Sequence, residues 1–404
     1  MRHTNPLAQA CLPKSSLEST GSHSVKLCPR NLISAPGRFQ WTLGAFYFHH
    51  RYGYDPAILA GPALGGGPTG SVIAPSFGRV HSYAAYGQGT LNLNEKLRLT
   101  LGLRFTHDEV KAGGRADFAL DDVIVAPTDL GEAKNKFDKM TWRGVLDYKP
   151  VEDVLIYGSV SRGYKAGIFN IITFDPTPVQ PETLDAYEIG VKTKFLGGRA
   201  RLNAAAFYYD QKDPQVFVVP RPGTNALINA GGARVKGFEA DGEIFVTPRF
   251  RLRGGATFID AEYTDFANAP FYSANPNPPY GNLAPSVGSA NGNALGRAPK
   301  FSGNVGASYE LAVGADTLRF GANYTYVGKF YWEPDLRTTG GKYGLLDANI
   351  AYSFAGDAVS LTLWASNLTK EKYYVAEYEQ AGQPGFAAAP GEPRRYGARL
   401  RYNF

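Results

Sequence analysis

The chain contains six histidines, His3, His23, His49, His50, His81 and His107, and two cysteines, Cys11 and Cys28. Imidazole and thiolate are the usual ligands of zinc and the softer transition metals, so these residues are the first to weigh for metal chemistry. His49-His50 is the tightest pairing. On a strand, however, adjacent side chains point to opposite faces, so two successive histidines cannot close on one ion. No HExxH pair, CxxC, GxSxG elbow or phosphate-cradling glycine loop is present. The acids Asp121-Asp122 and Asp153 fall in or beside loops and read as solvated charge. The expectation is a protein that is not an enzyme, with no catalytic residues, no resident metal and no cofactor.

A second group of residues suits binding rather than catalysis. Loop 264–299 is rich in Asn, Pro, Gly and Tyr and carries Phe271, Tyr272, Tyr280 and Arg297, while Tyr331 and Trp332 sit at another strand end. Aromatic rings and a guanidinium beside amides suit a catecholate, a hydroxamate or a sugar equally, and loops are where such contacts gather. Tyr272, Tyr280, Arg297, Tyr331 and Trp332 are therefore the candidate ligand contacts for a small molecule. Their types do not select among these chemistries.

These loops need a scaffold, and the pattern that supplies one has a period of two. In 97–106, Leu97, Leu99, Leu101, Leu103 and Phe105 take one face, and Arg98, Thr100, Gly102, Arg104 and Thr106 take the other. A β-strand turns such alternation into one apolar and one polar face. About fourteen such segments follow one another from 39–51 to 394–404. Roughly ten residues at about 3.4 Å each, tilted by about 40°, give a height near 25 Å, matching the apolar band of an outer-membrane barrel.

The connections repeat this message. Short ones fall at Asn94–Glu95, Pro150–Glu152, Gly197–Gly198, Thr247–Arg249, Val313–Asp316 and Ala355–Ala358. Long ones fall near 52–80, 109–136, 165–183, 213–233, 264–299, 333–342 and 369–393, in strict alternation with the short ones. Long loops all at one end are expected of a transmembrane barrel, with short turns at the other. The polar face then lines the lumen, placing Arg98, Arg104, Arg143, Asp147, Glu188 and Lys192 in water rather than lipid.

Composition agrees. Among 404 residues the charged fraction is 19%, the aromatic fraction 13%, and the formal charge +6. That surplus is not gathered into basic runs, so no nucleic-acid partner is expected. No stretch approaches the eighteen or so apolar residues of a membrane-spanning helix. A mean hydropathy of −0.25 fits strands of which only alternate residues meet lipid.

Residues 1–36 differ. They lack alternation, are peppered with Ser, Pro and Lys, hold both cysteines, and show no apolar h-region. They read as an unstructured leader without a signal peptide, and 37–404 as the barrel domain.

Particular strings now carry a resemblance. Ser161-Arg162-Gly163-Tyr164-Lys165-Ala166-Gly167-Ile168-Phe169-Asn170, Pro181-Glu182, Tyr187-Glu188-Ile189-Gly190-Val191-Lys192, Arg201 to Asp210, Gln215-Val216, Val235-Lys236-Gly237-Phe238-Glu239 and Asn367-Leu368-Thr369-Lys370-Glu371-Lys372-Tyr373-Tyr374 resemble, in that order, TonB-dependent outer-membrane receptors. The close on Tyr402 and Phe404, with alternating apolar residues before them, resembles the strand such proteins offer to the barrel assembly machinery.

The resemblance implies an all-β antiparallel transmembrane barrel of about fourteen strands, the last fourteen of twenty-two. It implies a place in the cell outer membrane of a Gram-negative bacterium, among outer-membrane lipid. It further implies uptake of a nutrient complex, ferric siderophores foremost, powered through the TonB complex. Family members also carry a plug domain and a TonB-binding box, neither of which is recognisable here, so a truncated receptor is expected, unable by itself to give energised uptake. The alternatives are a passive pore of about fourteen strands and a soluble β-rich binding protein.

Overall fold

The computed structural model describes residues 24–33, 37–60, 70–120, 123–171, 174–221, 224–274, 283–354, 356, 358–379 and 386–403. Among them there is no helix, and the strands pair antiparallel in chain order as one long meander. The first five are β1 (Ser24–Ile33), β2 (Phe39–Ala60), β3 (Gly70–Asn92), β4 (Leu97–Arg115) and β5 (Asp129–Val151). Next come β6 (Val154–Lys165), β7 (Glu182–Phe195), β8 (Ala200–Lys212), β9 (Gly232–Thr247) and β10 (Phe250–Asp265). The last are β11 (Phe301–Val313), β12 (Asp316–Val327), β13 (Tyr343–Phe354), β14 (Val359–Ser366) and β15 (Arg395–Tyr402). Two short strands, Asp117–Leu120 and Val123–Ala126, extend the sheet beside β3. Among the described residues β1 pairs only with β2 and β15 only with β14.

Polarity is inverted relative to a water-soluble sandwich. On β4, Leu101, Leu103 and Phe105 are 47–58% exposed, whereas Thr106 and Asp108 on the opposite face are buried. Leu146, Ile189, Phe258, Val305, Ile350 and Leu363 continue the exposed apolar surface around the sheet. Each such side chain gains about 1.5–3 kcal/mol only when taken out of water. Lipid outside supplies that burial.

The inner face is held by ion pairs and by aromatic rings laid over glycines. Arg98 binds Asp147 at 2.6 Å, and Tyr157 donates to Glu188 at 2.7 Å. The Tyr157 ring fills the space where a Cβ on Gly190 would stand, 2.5 Å away. Glu243 is bracketed by Arg201 and Arg251, and Arg319 joins Glu310 to Ser353.

The short connections lie at one end. Leu196, Gly197 and Gly198 at the β7–β8 turn, and Gly314 at β11–β12, take the left-handed conformation that such tight reversals require. At the other end lie the long connections, several of which are themselves hairpins: Gln215–Arg221 with Thr224–Asn229, Ala269–Ala274 with Leu283–Gly288, and Tyr374–Glu379 with Phe386–Pro390.

Two expectations need correcting. The meander has fifteen long strands among the described residues, and the first, β1, lies inside the stretch read as an unstructured leader. Pro29 interrupts its alternation. An edge strand tolerates proline, whose missing N–H can lie on the unpaired side. The loops near 52–80 and 109–136 are also largely strand, since β2, β3, β4 and β5 run 19 to 23 residues. Beyond the lipid band both faces meet water, so pairing continues without the apolar alternation by which strands are recognised.

Candidate functional site

The mouth at the long-loop end is where the candidate side chains converge. Residues 293–297 come back along the top of β10, and the segment after β12 folds against them. Arg297, with φ of 60°, donates its backbone N–H to the Tyr331 carbonyl at 2.7 Å. Its guanidinium lies 5.0 Å from the centre of the Trp332 ring, a cation–π contact. A Cβ on Gly296 would meet the Trp332 carbonyl at 2.8 Å, so only glycine allows this approach. Phe330 packs edge-on against Trp332 at 4.8 Å, and Asn293 donates to the Pro334 carbonyl at 2.8 Å. The Trp332 indole N–H and Asp335 Oδ2 are buried without a partner among the described residues. The arrangement presents an exposed cation held over a largely buried indole ring, suited to an anionic ligand edge.

Arg297, Tyr331 and Trp332 are thus brought together as one unit. Tyr272 is not part of it: it is buried in its own hairpin against Leu283. Tyr280 lies outside the described residues, as do Asp121-Asp122 and Phe404. Tyr402 stands exposed on the edge strand β15.

Sequence reasoning assigned no role to a second group at the mouth. Residues 166–171 and 174–179 lie over β4 and β5, where Phe169 and Phe174 pack with Val110, Ala112 and Phe137. Tyr164 donates to the buried carboxylate of Asp108 at 2.7 Å. Asn170 clasps the backbone of Leu227 in both directions, at 2.9 and 2.8 Å. Glu182 accepts from the backbone N–H of Gln215 at 2.8 Å, and Gln215 donates on to the Ala166 carbonyl at 2.9 Å. Asn170, Glu182 and Gln215 all stand in strings quoted above for their resemblance, and that was the signal to follow. At the top of β10, above the apolar band, burial pushes the Tyr263 phenol up to about 12, so it remains a neutral packing group beside Phe266.

His49 faces His81 across the β2–β3 ladder at 4.3 Å between rings, while His50 stacks on Tyr52 on the other face. Among the described residues no group of three His, Cys, Asp or Glu can hold an ion. Asn367, in an Asn-x-Thr triplet, is 4% exposed and spends its amide on the Glu371 and Glu392 carbonyls.

A family profile described as the β-barrel of TonB-dependent receptor-like proteins matches residues 17–368, most of the chain. The chain belongs to this family. Its members are receptors and transporters of the outer membrane, not enzymes, and the outer membrane is accordingly the compartment of this barrel. Among curated relatives, the probable TonB-dependent siderophore receptor PiuA of Acinetobacter baumannii is 26% identical over 74% of this chain and 38% of its own length. The metal-pseudopaline receptor CntO of Pseudomonas aeruginosa is 28% identical over 82% of this chain and 43% of its own length. The crystal structure of the ferric yersiniabactin uptake receptor FyuA from Yersinia pestis shares the fold. Its TM-score is 0.77 at 20% identity, over 95% of this chain and 54% of that one. The TonB-dependent barrel here therefore spans about two fifths of the length of the curated relatives it matches. A water-soluble binding protein is ruled out by the family and by the outward apolar face.

Proposed function

We propose that this barrel forms the wall and ligand-facing mouth of a TonB-dependent receptor that takes up a chelated metal, foremost a ferric siderophore. One observation carries the reading: the family match spans 17–368, and the relatives across it are named for metal chelates, a siderophore, metal-pseudopaline and ferric yersiniabactin. The mouth supports it. Arg297 stacked on Trp332, with Tyr331 beside them, offers charge and ring surface to an anionic chelate. Tyr280 belongs to the same 264–299 connection as Arg297 and joins the candidate set, whereas Tyr272 packs against Leu283 in its own hairpin. Energised passage is assigned to the TonB complex, and insertion to the barrel assembly machinery reading Tyr402 and Phe404.

Binding is tested by titrating the detergent-solubilised chain with ferric catecholate, hydroxamate and mixed chelates while following tryptophan emission. A ferric chelate at the mouth quenches Trp332, Trp332→Phe removes most of that quenching, and Arg297→Gln weakens binding about tenfold. Quenching unchanged in both variants, or no saturable binding of any ferric chelate, contradicts the reading.

A further inference from the structure

The outward face of β2 to β5 changes character abruptly at its long-loop end. In register across the four strands, Ala45, Ala85, Phe105 and Met140 form the last wholly apolar row. The next row is Tyr47, Tyr83, His107 and Asp138, and the one beyond is His49, His81, Glu109 and Lys136. Then comes Arg51, Arg79, Lys111 and Lys134. These four cations sit side by side on four adjacent strands, each directly opposite the next.

Like charges in directly opposed positions destabilise a ladder. Lys111 is relieved by Glu132 at 2.5 Å, and Lys134 reaches Glu109 only at 3.8 Å. Among the described residues no carboxylate pairs with Arg51 or Arg79, whose nearest aromatic support is the Phe77 ring 5.4 Å from Arg79. All four are exposed or half-exposed on the side that faces lipid lower down. With neighbouring strands about 4.8 Å apart, the row is about 14 Å wide. Two residues per row on a tilted strand place it about 10 Å above the Tyr47–Tyr83 pair, at headgroup level when those tyrosines mark the interface.

We propose that the Arg51–Arg79–Lys111–Lys134 row is a binding site for the phosphate groups of anionic glycolipid in the outer leaflet. Bridging phosphates supply the counter-charge that Arg51 and Arg79 find in no carboxylate of the described residues, drawn by the positive field of the whole row. The site rests on the outer-membrane placement and is independent of what the mouth binds.

The test is to reconstitute the chain into vesicles containing diphosphorylated lipid A or its dephosphorylated counterpart, in otherwise identical phosphatidylcholine. After mild detergent extraction, the glycolipid retained per chain is measured by mass spectrometry of its acyl chains. The phosphorylated form is expected to be retained roughly tenfold or more over the dephosphorylated one, a ratio lost in Arg51→Gln/Arg79→Gln/Lys111→Gln/Lys134→Gln. Arg51→Lys/Arg79→Lys, which keeps the charge, should retain most of it. Millimolar inorganic phosphate should not displace the lipid; displacement would mean a free-anion site and overturn the assignment. Equal retention of both glycolipids, or by the quadruple variant, also overturns it. Heat-modifiable gel migration reports whether that variant folds. If it does not, wild-type retention must fall with added salt, and retention indifferent to salt overturns the proposal.

Discussion

Leu103 on β4 lies directly across from Trp142 on β5, and both face away from the lumen, 52% and 37% exposed. One residue on, Arg104 points inward and rests against the Phe46 and Tyr86 rings at 5.1 and 5.6 Å. A single step along the chain thus separates a lipid-facing side chain from a lumen-facing cation. Leu103→Arg is expected to cost about 2–4 kcal/mol of folding free energy in vesicles, read by urea unfolding, because a cation enters the apolar band. Thr100→Arg, on the inner face, should cost far less.

Asn367 governs the return from β14 to β15. Its side-chain oxygen accepts from the Glu371 N–H at 2.7 Å, its amide reaches two carbonyls, and its φ of 47° is one asparagine tolerates. Asn367→Ala should destabilise by about 2–3 kcal/mol in the same unfolding measurement, through unpaired buried groups. Asn367→Gly relieves only the backbone strain and should recover little. Full recovery by glycine would show that strain, not the bonds, dominates.

Tyr164 and Asp108 make a second keystone. Asp108 is 2% exposed, and the Tyr164 hydroxyl is its recorded donor. Tyr164→Phe leaves that acceptor short of a bond and should cost about 1–3 kcal/mol. Protease nicking within 166–171 should rise with it, since Asn170 ties this segment down beside that bond.

Outside the apolar band, His107 hydrogen-bonds Asp138 at 2.7 Å, and this bond holds the imidazole above its usual range. A raised folded value means the bond adds stability fully below the unfolded imidazole range and loses it as pH rises through the folded one. The thermal midpoint should therefore drop slightly on crossing from mildly acid to mildly alkaline pH, and Asp138→Asn should flatten that step. An unchanged step in the variant would assign it to another group.

Where lipid imposes alternation, the chain is legible from residues alone. Leu97 to Phe105 reads directly as a strand with its outer face named, and Gly197-Gly198 marks a turn that the left-handed backbone requires. Where water bathes both faces the signal fades. The upper halves of β2 and β3 around Tyr52, Gly53 and Phe77 pair without alternation, and β1 hides behind Pro29. At the mouth, aromatic and arginine content pointed to Arg297, Tyr331 and Trp332. No local pattern distinguishes Tyr272, which packs into its own hairpin, because that difference arises from tertiary contacts. The clasp of Asn170 on Leu227 joins residues 57 apart, and the motif around Asn170 does not name its partner.

Trp142 reports whether the apolar face of the barrel meets lipid. In a variant carrying Trp41→Phe, Trp332→Phe and Trp364→Phe, the remaining indole is followed in vesicles of brominated or ordinary phospholipid. Strong quenching by brominated acyl chains and little by aqueous iodide is expected. Ready quenching by iodide, with brominated lipid having no effect, would contradict it.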